Sequence, residues 1–120
     1  MKIYIAHSKE FDYKNELYIP IRNSEKLRKH EIILPHAIDS NSSNTREFYK
    51  TIDIIVAECS YPATGLGIEL GWAYDDGTKV YCIYQKGKRI SNSIKAISNN
   101  IYEYQNSTDM IKIIEDIINV

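Results

Sequence analysis

The chain predicts a three-layer α/β domain built on a parallel sheet, and three observations carry that prediction. Short runs rich in Ile, Val and Tyr alternate with segments of helical spacing along the whole length. Residues 52–57 form an apolar run broken only by Asp53, as expected of a central parallel strand covered on both faces. That run enters a Pro/Gly loop that opens directly into a helix, the start of a right-handed crossover. At 120 residues the chain makes a single domain, residues 1–120, with one core.

Taken in order, residues 2–6 (KIYIA) read as the first strand. Residues 12–29 carry helical spacing at Leu17, Ile21 and Leu27, and Pro20 should end or kink that helix. Residues 31–34 form a second strand stopped by Pro35. Residues 36–44, polar and rich in Asn and Ser, read as a mobile loop. Thr45 caps a short helix through Lys50, with Glu47 in its first turn. After the 52–57 strand, residues 67–74 continue as a helix closed by Asp75-Asp76-Gly77. Residues 79–84 are the next strand, 85–89 a turn and 91–98 a helix. Residues 101–104 are a last short strand, and 108–120 an amphipathic closing helix. Five strands alternating with helices give a flavodoxin-like sandwich with a five-stranded parallel sheet.

Composition removes several function classes. Fifteen basic and sixteen acidic residues leave a net charge of −1, so no broad field recruits a nucleic-acid polymer or anionic lipid. The basic clusters at 22–29 and 86–89 read as solvated faces. No apolar run approaches the roughly 20 residues that span a bilayer, and MKIYIAH reads as a strand rather than a leader, so a cytoplasmic protein is expected. Cys59 and Cys82 lack CxxC spacing and should be reduced, packed thiols. Ten tyrosines against two phenylalanines place hydroxyls at polar sites or subunit interfaces.

The most informative stretch is DIIVAECSYPATGLGIELGWA, residues 53–73. Ligands gather at the carboxyl end of such a strand, where free N–H groups and the positive end of the helix dipole meet. Glu69 stands beside that spot, a candidate nucleophile or base. The plain alternative is a helix-start carboxylate favoured by the dipole, worth about 0.3–1 kcal/mol. Glu58, closing the strand, should hydrogen-bond loop amides, and Asp53, at its remote end, should make a cap or structural pair. His7 and His36 fall near strand ends, where each could orient a base, donate a proton or serve structurally. No spacing of metal-ligand type appears, and GLGIELG is not a dinucleotide fingerprint. Trp72 and Tyr74, on the Glu69 helix, read as core or dimer contacts.

On DIIVAE, SYPATGLG, IELGWA and KVYCIY, with IYIAHS, ELYIPI and ILPH in support, the chain resembles the nucleoside 2-deoxyribosyltransferase family. It resembles above all the branch of 2-deoxynucleoside 5′-monophosphate N-glycoside hydrolases. The resemblance implies the flavodoxin-like fold, dimers or dimers of dimers, a nucleoside or nucleotide substrate, and neither metal nor organic cofactor. It implies cleavage or transfer at the N-glycosidic bond with Glu69 as nucleophile and Tyr4 beside it. It places Ser8 on the 5′-phosphate, and makes Gly65 and Gly67 loop glycines that let the backbone approach ligand; His7, by its own place at the strand end, is a further substrate-binding candidate. The resemblance has Ser91 or Ser93 lent by a neighbouring subunit. Two positions depart from the pattern. Thr45 replaces an acidic proton donor, for which Glu47, Asp39 or His36 could substitute. Ala63 replaces a phosphate-loop serine, with Thr64 next to it. Those departures keep open a nucleotide-binding or sensing module without turnover, and a dimeric interaction scaffold.

Overall fold

Residues Ile54–Glu58 form the central strand, β3, buried along its whole length. Its side chains alternate, so Ile54, Val56 and Glu58 face one layer while Ile55, Ala57 and Cys59 face the other. The structure, a computed structural model, describes residues 1–37 and 45–119. β1 (Lys2–His7), β2 (Glu31–Ile33), β4 (Lys79–Gln85) and β5 (Ile101–Tyr104) complete a sheet of order β2-β1-β3-β4-β5, parallel at every pairing. This is the predicted flavodoxin-like α/β architecture. The strand order reverses between β1 and β3, and in parallel sheets of this kind the crossovers diverge beyond such a point, here past the paired ends His7 and Glu58.

Among the described residues five α-helices cover the sheet: α1 (Ile19–Arg22), α2 (Arg46–Tyr49), α3 (Thr64–Asp76), α4 (Asn92–Ile97) and α5 (Ser107–Ile118). One layer packs Ile3, Ile5, Val56 and Ile83 against Leu17, Ile21, Met110 and Ile114. The other packs Tyr4, Ala6, Ile55 and Ala57 against Tyr49, Leu66, Leu70 and Ile94. Each fully buried Ile or Leu contributes about 1.5–3 kcal/mol of transfer free energy.

Several boundaries differ from expectation for identifiable reasons. Pro20 does not stop its helix. A π-helical turn (Lys14–Tyr18) runs straight into α1, with Pro20 as the second α1 residue. There its missing N–H falls where the hydrogen-bond period changes, with the Ile19 N–H still reaching back to the Lys14 carbonyl. The segment ends as a separate 3₁₀ turn, Leu27–Lys29. β3 starts two residues late because Asp53 is spent on the edge of β1. Its carboxylate accepts the Lys2 N–H at 2.7 Å and its own N–H donates to the Lys2 carbonyl at 2.9 Å. That is the structural pairing expected of it. α3 begins at Thr64, earlier than expected, and ends at Gly77, whose φ of 75° supplies the left-handed closing residue. Thr45 caps α2 as predicted, its Oγ1 accepting the Phe48 N–H at 3.2 Å. Among the described residues no helix is long and apolar enough to cross a membrane.

Candidate active site

Glu69 sits in the second turn of α3, half-buried, on the side of the helix that faces Tyr4 and Tyr49. No acidic residue occupies the first turn of α3, so the helix dipole does not account for this carboxylate. What surrounds it does. Tyr4 of β1 and Tyr49 of α2 are 1% and 3% exposed, and both hydroxyls face Glu69 closely enough to favour its charged form. The two hydroxyls are 3.1 Å apart and their rings pack edge to face at 5.2 Å. Burial pushes the Glu69 carboxyl up to about 7, against the opposing pull of the two phenolic hydrogen bonds. Burial also raises both phenols, as does the Glu69 charge, so they stay protonated and act as donors at neutral pH. The site is a carboxylate poised to change charge near neutrality under two fixed O–H groups.

A second polar chain lies on the opposite face of β1. The His36 N–H donates to the Tyr18 hydroxyl at 3.0 Å, and Tyr18 lies 2.7 Å from His7 Nε2. His7 Nδ1 lies 2.8 Å from the Ser8 carbonyl, which only accepts. Nδ1 therefore carries the proton, Nε2 accepts from Tyr18, and one tautomer is fixed. Burial lowers His7 to about 4 and also lowers His36, with Lys9 adding to both. His7 is neutral, with both ring nitrogens engaged. Phe11, Tyr13 and Tyr61 extend this wall. Tyr13 is 4.7 Å from the His7 ring, and Phe11 stacks on Tyr61 at 5.0 Å and 12°.

Glu58 is fully buried and makes the contacts a buried carboxylate needs. Ser60 donates its N–H at 2.8 Å and its O–H at 2.7 Å, and the Tyr104 hydroxyl donates to the same carboxylate. The Gln85 N–H then donates to Ser60 Oγ at 2.8 Å. Burial still raises Glu58 above the usual carboxylate range despite those donors. The expected bond to a loop amide is present, and β4 and β5 join it in tying down the loop after β3.

The remaining predicted residues are placed as follows. Ser8 is buried, and its Oγ accepts the Glu10 N–H at 3.0 Å. Ala63 stands at the N-cap of α3 without a side-chain cap, and Thr64 opens the helix, exposed. Gly65 and Gly67 lie in the first turn of α3, not in the loop before it, because that helix starts early; a Cβ at either would meet nothing within 4 Å. Ser91 caps α4, its Oγ accepting the Ser93 N–H at 3.3 Å, and both serines are exposed. Glu47 is exposed on α2, away from its buried neighbour Tyr49. Asp39 lies outside the described residues. Cys59 and Cys82 are buried free thiols, and among the described residues no cluster of three or more His, Cys, Asp or Glu could hold a metal ion.

Tyr49 is the residue that sequence reading missed. Its signal was a tyrosine, rather than the more common apolar choice, on the inward face of a short capped helix.

No family model matches the chain. A protein of Nematostella vectensis, provisionally named 2′-deoxynucleoside 5′-phosphate N-hydrolase 1, is 45% identical over 49 residues, which are 39% of this chain and 33% of that protein. The 5-hydroxymethyl-dUMP N-hydrolase of Tetraodon nigroviridis is 36% identical over 55 residues, 44% of this chain and 39% of that protein. The chain resembles nucleotide N-hydrolases. These matches span between a third and two-fifths of the curated relatives' length. Among solved structures, the CMP N-glycosidase of Clostridium botulinum superposes with a TM-score of 0.65 over 96% of this chain and 99% of that one, at 18% identity. A conserved protein of Enterococcus faecalis V583 does so at 0.67, over 97% and 98%, also at 18% identity. At that identity the structural likeness shows the fold, while the resemblance to the deoxyribosyltransferase family rests on the two sequence matches.

Proposed function

We propose that this protein cleaves the N-glycosidic bond of a nucleoside 5′-monophosphate or nucleoside, with Glu69 as nucleophile. The observation that carries this reading is the half-buried Glu69 carboxylate, titrating near neutrality beneath the Tyr4 and Tyr49 hydroxyls. As the bond from the anomeric carbon to the base nitrogen lengthens, positive charge grows on the sugar, and a fixed carboxylate is the counter-charge it needs. A Glu69 oxygen then bonds that carbon, and the bond's electron pair leaves with the base, whose nitrogen takes up a proton. Water attacking the same carbon adds its hydroxyl to the sugar, gives up a proton that balances the one the base took, and breaks the bond to Glu69, which restores the carboxylate; a second base in place of water would give transfer.

Other features support the reading. The uncapped start of α3 leaves backbone N–H groups suited to an anion. Phe11, Tyr13 and Tyr61, at the same end of the sheet, offer flat surface for a base. Ile68 and Tyr74 on the outer side of α3 are 50% and 65% exposed, which suits a homodimer built on that helix. We place the enzyme in the cytoplasm.

Chromatography of free base, after incubating the pure protein with a panel of ribo- and deoxynucleotides and nucleosides, tests the activity. Glu69→Ala should abolish release; equal release by the variant refutes the mechanism. A second reading, a binding module without turnover, is favoured by Thr45, whose hydroxyl caps α2 where the related pattern has an acid. A nucleotide that raises the melting temperature yet remains intact would establish it.

A further inference from the structure

The reaction above gives a role to Glu69 and leaves Tyr49 without one. α2 and α3 meet along a ladder of side chains. On α3, Glu69, Trp72 and Asp76 are spaced three and four apart and share one side of the helix. On α2, Arg46 and Tyr49 are spaced three apart and share theirs. The Tyr49 ring lies 5.2 Å from the Trp72 ring, and the Arg46 guanidinium lies 5.6 Å over that same ring. Two Arg46 nitrogens reach the two Asp76 oxygens at 2.6 and 2.7 Å, and Asp75 is 3.3 Å away. A forked pair of this kind sets orientation, whatever little energy it adds at an exposed position. At the inner end of the ladder stands the Tyr49 hydroxyl, 3.1 Å from the Tyr4 hydroxyl and facing Glu69, whose charge it feels.

We propose that Tyr49 is a positioning residue for the nucleophile: its phenol, aligned by Arg46, Trp72 and Asp76, donates to Glu69 and holds the carboxylate in one orientation toward the sugar. The inference rests on the reading of Glu69 as nucleophile and adds a residue and a device to it. Proton bookkeeping shows what the device does. Each protonated phenol has one proton to offer, and the charged Glu69 carboxylate can only accept. The phenols steady the carboxylate without handing it a proton, so it remains charged enough to attack and weak enough to leave in the second half of the reaction. The titratable groups facing Glu69, among the described residues, are Tyr4 from β1 and Tyr49 from α2; the Glu69 charge also reaches the neutral Tyr18 phenol of the π-helical turn and raises it. The Arg46 charge is engaged with Asp75 and Asp76 at the far end.

The test is Tyr49→Phe in the full chain, which keeps the ring against Trp72 and removes only the hydroxyl. Two readouts are taken: the Glu69 titration, by carboxyl ¹³C NMR, and base release as a function of pH. The Glu69 midpoint should move above about 7 by roughly one pH unit, since a hydrogen bond to the charged form is lost. The acid limb of kcat/KM should move with it, and kcat should fall more than KM rises. A midpoint unchanged from the parent overturns the proposal, whatever the rate. Arg46→Met keeps both phenols and should move the midpoint the same way by a smaller amount; no movement overturns the role given to the ladder. Failure of the parent protein to release base overturns the nucleophile reading instead, because the NMR titration decides the Tyr49 contact without turnover.

Discussion

Replacing Glu69 by Gln should make the protein more stable, and only at neutral and alkaline pH. The folded carboxyl titrates near 7, against an ordinary value of 4.5. Between those two values the folded protein holds a proton that the unfolded chain has lost. Stability therefore falls as pH rises through this window, and the penalty is complete above the folded value. At about 1.4 kcal/mol per pH unit the full interval sets an upper bound of roughly 3.5 kcal/mol. Partial exposure of the carboxylate screens part of that and leaves about 2 kcal/mol. Gln has the same shape, accepts from a phenol and carries no charge, so the penalty disappears in the variant. Urea unfolding at pH 4.5 and pH 8 measures it. The variant and parent should nearly coincide at the lower pH, and the variant should be more stable by about 2 kcal/mol at the higher one. A difference that is the same at both values would refute the reasoning, since the Glu69 charge would then cost the fold nothing. The expected sign is that of a site held ready at the expense of the fold.

Two further substitutions probe the frame around the site. Tyr104→Phe removes one donor from the fully buried Glu58 and should cost about 1–3 kcal/mol in urea unfolding; a loss below half a kilocalorie would mean that solvent replaces the phenol. Gly77→Ala places a side chain at φ 75° in otherwise open space, so the cost is conformational, about 1–2 kcal/mol. Thermal unfolding should show that loss with base release unchanged, because Gly77 closes the end of α3 remote from its N-terminus.

The apolar run before Glu58 and the alternating periods on either side were sufficient to set strand, loop and helix in order. They specify which faces must be hidden, and a five-stranded parallel sheet hides them. Asp53, Glu58 and Thr45 were legible for the same reason. Each sits at the end of an element, where a backbone group needs a partner within a few residues or on the adjoining strand. Glu69 stood out as a lone carboxylate in an apolar helix. Tertiary packing decided what holds it. Tyr4 and Tyr49 are 45 residues apart, and no local period distinguishes a tyrosine that packs as a hydrophobe from one whose hydroxyl meets another. The π-helical register around Pro20, the fixed His7 tautomer and the early start of α3 likewise depend on contacts made only after the layers close. Sequence periodicity determines burial because water is present at every position of the unfolded chain; hydrogen-bond partnership among buried groups is settled by distances that exist only in the packed molecule.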